Sequence, residues 1–133
     1  MKKVLFVCVH NSARSQMAEG LANSLSGGKL RAWSAGSTPT QVHPLAIKAM
    51  AEIGVDISGQ ESKSFADVSD LEFDYVITLC GDGDVICPTF PGVAKRLHWP
   101  QPDPAAVKGS EEARSAAFRD VRDTLLLRIQ TLK

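Results

Sequence analysis

Lys3-Val4-Leu5-Phe6-Val7-Cys8-Val9-His10-Asn11-Ser12-Ala13-Arg14-Ser15-Gln16-Met17-Ala18-Glu19-Gly20-Leu21-Ala22 reads as a strand, a loop and a helix in succession. Lys3 to Val7 is a short apolar run, the pattern of a strand buried on both faces. Ser15 to Leu25 has helical periodicity, with Met17, Leu21, Ala22 and Leu25 able to share a face. Five residues separate Cys8 from Arg14. A thiol at the end of a strand, a short loop and an arginine entering a helix form an oxyanion cradle with a nucleophile at its floor. Loop N–H groups and the helix N-terminus can converge on a tetrahedral dianion, and Arg14 can add a bidentate fork. The same positive field favours Cys8 as thiolate, the form that attacks. A cysteine after a strand is often buried filler, and this Cys–Arg spacing also arises by chance. The placement between strand and helix, with Asn11, Ser12 and Ser15 around it, favours the catalytic reading.

Working outward, strands and helices alternate. Gly27-Gly28 stops the first helix, and Leu30 to Ala35 alternates as a second strand that includes Trp33. Pro44 suits a helix start, Leu45, Ile47, Ala49, Met50 and Ile53 supply its apolar content, and Gly54 ends it. Gly59 to Asp70 is the least periodic stretch, a loop with one helical turn. Asp74 to Leu79 is a third strand that delivers Cys80 to its C-terminal end, and Ala94 to His98 is a short fourth. Glu111 to Leu132 forms the last helix, with Phe118, Val121, Leu125, Leu126, Ile129 and Leu132 as its apolar stripe. This order predicts a small doubly wound α/β domain with a four-stranded parallel sheet flanked by helices. Its ligand site belongs beyond the carboxyl ends of the strands, which puts the loops from Cys8 and Cys80 on one edge.

A chain of 133 residues suits one domain, 1–133, with a single substantial core. With 15 basic and 15 acidic residues there is no bulk electrostatic case for nucleic acid or an anionic membrane. No apolar run approaches the roughly 20 residues that span a bilayer. Met1-Lys2-Lys3 followed by so short an apolar run reads as the first strand of a cytoplasmic protein rather than as a signal peptide. Three cysteines without framework spacing point to reactive or buried thiols in a reducing compartment. Size and balanced charge fit a monomer.

Cys80 and Cys87 bracket Gly81-Asp82-Gly83-Asp84-Val85-Ile86, a segment able to change shape cheaply in either redox state. Zinc binding competes, yet structural sites use close pairs such as CxxC, which this chain lacks; His10 and His98 add nothing the spacing demands. Redox partnership with Cys8 is favoured over zinc and over inert burial, and no metal is expected. Asp103 lies in Trp99-Pro100-Gln101-Pro102-Asp103-Pro104, where prolines constrain a loop able to overhang Cys8. There it can donate a proton to a leaving oxygen, or simply cap a turn; the local sequence leaves both open.

The run from Val7-Cys8 through Arg14-Ser15-Gln16-Met17-Ala18-Glu19-Gly20 closely resembles the opening of arsenate reductases built on the low-molecular-weight tyrosine phosphatase fold. The likeness continues through Ser34-Ala35-Gly36, His43-Pro44, Val55-Asp56-Ile57-Ser58, Thr78-Leu79-Cys80, Cys87-Pro88 and His98-Trp99 to Asp103-Pro104, over essentially the whole chain. It is nearest the thioredoxin-coupled branch. The resemblance implies arsenate as substrate, Cys8 as nucleophile, and Arg14 with the backbone of Val9, His10, Asn11, Ser12 and Ala13 as the oxyanion holder. It implies that Ser15 hydrogen-bonds the Cys8 thiolate, that Asn11 braces the loop, and that Asp103 protonates the departing hydroxide. Cys80 then attacks Cys8, Cys87 takes over the disulfide, and thioredoxin reduces the exposed Cys80–Cys87 pair.

The chain departs from the commonest pattern where it carries His10 and Ala13. His10 must accept whatever backbone angle the loop imposes, and its ring can add positive charge near the anion. Ala13 removes a competing thiol. Some relatives hold potassium partly through an acidic residue at the position that reads Lys63 here. An ammonium near Asn11, Glu19 and Ser34 would replace the ion, so neither obligatory potassium nor another tightly bound cofactor is expected. The plain alternative is a solvent-facing lysine. Two other functions compete: a phosphatase for phosphotyrosine or small phosphate esters, and an oxyanion- or redox-sensing binding domain. The stretch Pro104-Ala105-Ala106-Val107 lacks the aromatic wall of tyrosine-specific relatives, which leaves weak phosphatase activity as a side reaction. A sensor has no need of the full catalytic set.

Overall fold

The computed structural model describes residues 1–81 and 94–132. The strands are β1 (Lys2–Cys8), β2 (Leu30–Gly36), β3 (Tyr75–Thr78) and β4 (Lys95–His98). The helices are α1 (Arg14–Leu25), α2 (Pro44–Ala51) and α3 (Glu111–Gln130), with short 3-10 turns at Phe65–Val68 and Pro104–Ala106. All strand pairs are parallel, in the order β2-β1-β3-β4, so the α/β parallel sheet expected from the sequence is present. No helix among the described residues is long and apolar enough to cross a membrane.

β1 is central, and Val4 through Cys8 are buried because both faces of the sheet are covered. Val4, Phe6 and Ile77 face a core that Met17 and Leu21 of α1, Met50 of α2 and Phe118, Val121 and Leu125 of α3 close. The alternate residues Leu5, Val7 and Val76 pack instead with Val68 and Phe73. Burying a side chain such as Phe6 or Leu125 contributes about 2 kcal/mol, so this two-sided burial holds the strand register. Trp33 packs edge-on against Phe73, with ring centroids 5.6 Å apart.

The helix ends follow the local chemistry. The Gly54 N–H donates to Ala51 O and the Val55 N–H to Met50 O, and Gly54 takes φ +79°, closing α2 with a Schellman turn. Ser110 caps α3 by accepting from the Ala113 N–H at 3.1 Å. Arg119 forks onto Glu52 at 2.9 Å while Arg122 donates to Ala49 O at 2.8 Å, clamping the end of α2 to α3. Leu25 departs from its expected place on the buried face: it is 38 % exposed at the last turn of α1, while the following Ser26 is buried against the start of β2. β4 is an edge strand, and its Lys95, Arg96 and His98 are exposed.

Candidate active site

With β1 and β3 parallel and adjacent, Cys8 and Cys80 emerge at the same edge of the sheet. Residues 9–13 connect β1 to α1, and every carbonyl along them is turned outward to a donor. Val9 O accepts from the Thr38 N–H, His10 O from the Thr40 N–H, and Ser12 O from the His43 N–H, at 2.9, 3.2 and 3.0 Å. Asn11 O accepts from Gln16 Nε2 at 3.1 Å, and Ala13 O from the Met17 N–H at 2.9 Å. All five loop carbonyls are thus engaged by donors from other parts of the chain, which leaves the backbone N–H groups as the groups an anion-binding nest would use. The left-handed conformation this demands falls on Asn11, at φ +48°. The expected burden on His10 is therefore carried one residue later, by a residue type that tolerates αL.

Above the loop is a cavity of about 150 Å³ lined by Cys8, His10, Arg14, Thr40, Asp103 and Ala105, among others. Cys8 is a free thiol, 2 % exposed, and its sulfur lies 2.8 Å from Ser15 Oγ. Arg14 is buried, and its Nη1 donates to Gln101 O at 3.1 Å and Leu79 O at 3.4 Å. One guanidinium thus joins the oxyanion loop, the end of β3 and the loop after β4. Asp103 fits both readings its sequence left open. Its Oδ1 accepts from the Ala105 N–H at 3.0 Å, capping the short turn, while the residue also lines the cavity.

The model of the low molecular weight phosphotyrosine protein phosphatase family matches residues 3–132. The chain belongs to this family. Among its relatives, an arsenate reductase of Halalkalibacterium halodurans is 43% identical over 130 residues, covering 98% of this chain and 94% of that one. A solved arsenate reductase in the phosphate-binding state superposes with a TM-score of 0.83 at 40% identity, over 99% of this chain and 96% of the other. A thioredoxin-dependent arsenate reductase of Corynebacterium glutamicum gives a TM-score of 0.66 at 34% identity, over all of this chain and 64% of its own.

In this member of the phosphatase family the loop rests on a buried polar layer. Ser34 Oγ donates to Glu19 Oε1 at 2.8 Å, and Lys63 Nζ reaches the same oxygen at 3.2 Å and Glu61 O at 3.0 Å. The Lys63 side chain is 20% exposed and so does not simply point into solvent. Asn11 is met by the Lys63 backbone N–H, at 2.7 Å, rather than by the ammonium. Cys80 is 4 % exposed and disulfide-bonded. Cys87 lies outside the described residues.

Several supporting residues escape a linear reading. A Cβ on Gly36 would stand 2.5 Å from Val9 O and 2.7 Å from Cys8 O, so the loop after β1 closes only over a glycine. Gly81, beside Cys80, likewise meets the Gln101 carbonyl where a Cβ would be. Ser62 accepts from the Thr40 N–H and donates to His10 O, both at 3.0 Å. The signal available for Gln16 was a long polar side chain on a helix flank that turns out fully buried.

Proposed function

We propose that this protein reduces arsenate to arsenite by a thiol relay and takes its electrons from thioredoxin. The observation that carries this is the free Cys8 in an outward-bonded loop, with a second cysteine, Cys80, at the end of the adjacent parallel strand. Thiolate Cys8 attacks arsenic while Arg14 and the N–H groups of Val9 through Arg14 hold the remaining oxygens. The departing hydroxide takes a proton from Asp103 and leaves as water. Cys80 as thiolate then attacks Cys8 Sγ; the sulfur–arsenic electron pair stays on arsenic, which leaves as arsenite, and a Cys8–Cys80 disulfide forms. Cys87 attacks Cys80, expelling Cys8 as thiolate, and an external dithiol reduces the resulting Cys80–Cys87 disulfide. Such recycling suits a monomer in the reducing cytoplasm. Similarity to arsenate reductases over nearly the full chain supports the substrate, and similarity to the thioredoxin-dependent enzyme of Corynebacterium glutamicum supports the reductant.

The first two steps require no second thiol, so weak phosphate-ester hydrolysis accompanies the reaction. The cavity wall beside Asp103 is Ala105, which offers an aryl ester no ring to stack on. The Lys63 ammonium beside Glu19 supplies the charge that a monovalent cation would bring, so no potassium is required.

Three single variants test the relay. Cys8→Ser should lose both arsenite release and ester hydrolysis. Cys80→Ser should keep hydrolysis and lose reduction. Cys87→Ser, given arsenate without reductant, should release about one arsenite per chain and stall as a Cys8–Cys80 disulfide, read by non-reducing peptide mass spectrometry. Sustained arsenite turnover by Cys80→Ser would refute the relay.

A further inference from the structure

Gln16 is fully buried, directly after Ser15, and every polar atom of its side chain is engaged. Its Nε2 donates to Asn11 Oδ1 at 2.8 Å and Glu61 O at 2.9 Å, and its Oε1 accepts from Gln60 Nε2 at 2.7 Å. Backbone groups fix which way each amide points. Gln16 Nε2 faces the carbonyls of Asn11 and Glu61, Gln60 Nε2 faces Gln16 O, and Asn11 Oδ1 faces the Lys63 N–H. The Asn11 oxygen is therefore the acceptor end, and its Nδ2 must point the other way, donating to Ser15 Oγ at 2.8 Å. A hydroxyl has one hydrogen. Since Ser15 accepts from Asn11, that hydrogen is left for Cys8 Sγ, 2.8 Å away.

We propose that Gln16, supported by Gln60, is a positioning residue that sets the direction of this hydrogen-bond chain so that Ser15 donates to, rather than accepts from, Cys8. A donated hydrogen bond stabilises thiolate over thiol. Gln16 acts in two ways: it supplies one of the two donors to Asn11 Oδ1, and it ties down residues 60–63, the segment that carries the other donor, the Lys63 N–H. The inference rests on Cys8 being the nucleophile of the proposed reaction. The groups around Cys8 that carry or exchange charge are His10 on its own loop, Arg14 at the start of α1, Asp103 after β4 and Cys80 after β3. The Glu19–Lys63 pair lies behind Asn11. Gln16→Met removes none of these charged groups.

The test is the rate at which iodoacetamide alkylates Cys8 in the fully reduced protein, followed across pH by peptide mass spectrometry. It needs no arsenate, so its outcome is separate from that of the reductase reading. Gln16→Met should react about fivefold more slowly near neutral pH, the factor carried by one hydrogen bond, and reach the parent rate at alkaline pH. Gln60→Met should shift the profile the same way by less, and it serves alone should Gln16→Met fail to fold. A purely structural brace would slow alkylation equally at every pH. That result, or an unshifted profile in the folded variants, would overturn the proposal.

Discussion

A methyl group on Gly36 would stand 2.5 Å from Val9 O, 2.7 Å from Cys8 O and 2.9 Å from the Asn11 nitrogen. These are backbone atoms, which cannot swing aside as a flexible side chain can. Gly36→Ala should therefore move the oxyanion loop while leaving the distant core intact. Displacements of this order cost about 100-fold in catalysis, and we expect that loss in kcat/KM for arsenite release and for phosphate-ester hydrolysis alike. Gly59 has open space around its Cβ position and no left-handed backbone, so Gly59→Ala is the matched control and should keep full activity. Loss confined to the reductase assay, with hydrolysis intact, would show that the loop had not moved. The contrast illustrates how little of a residue's role follows from its type: one glycine ends β2, the other lies in a turn, and only the first touches the site.

α2 begins with a histidine in the role usually filled by serine or aspartate. His43 Nδ1 accepts from the Leu45 N–H at 3.1 Å, and the ring packs on Phe118 with centroids 4.8 Å apart. Burial holds the His43 proton affinity below the usual 6.5; Arg114 adds to this and Asp103 opposes it. The folded state thus prefers the neutral ring, whose Nδ1 lone pair the cap uses. The stability it contributes is complete above the ordinary histidine value and is lost as pH falls through the lower folded value. His43→Asn retains a capping acceptor that does not titrate. Between about pH 8 and about pH 5 the melting temperature of the parent should fall more steeply than that of the variant. Parallel curves would remove His43 from the acid response. The helix matters for the site because the His43 N–H also holds Ser12 O, so loosening the cap loosens the loop.

At the scale of the whole molecule, the parallel sheet brings the ends of β1, β3 and β4 to one edge, and Arg14 spans them through Leu79 O and Gln101 O. Beneath that edge the Glu19–Lys63 pair and Ser34 connect α1, β2 and the segment at residue 63. A cation that bound only the folded state would raise stability by mass action. With the ammonium already on Glu19, we expect equal melting temperatures and equal arsenite release in potassium and sodium chloride at matched ionic strength. A higher melting temperature in potassium alone would contradict the reading of Lys63 as the resident charge.

Cys8, Arg14 and Ser15 were legible in the sequence because a strand, a loop and a helix N-terminus place neighbours in the chain around one point. The parallel sheet was legible too, since the alternation of buried strands and amphipathic helices admits few arrangements. Even Asp103 and Cys80 could be named, because each follows a strand and strand ends share an edge. The partners of the loop could not be read this way. Thr38, Thr40 and His43 hold its outer carbonyls, Gly36 makes room for it, and Gln60, Ser62 and Lys63 brace it through Gln16, His10 and Asn11. Each lies tens of residues along the chain from the group it serves, or reaches it through irregular backbone that no periodicity describes. Local order along the chain determined where the Cys8 thiol stands. Only the folded return of two loops decided which way its hydrogen bonds run, because the direction of an amide is set by the backbone groups packed against it.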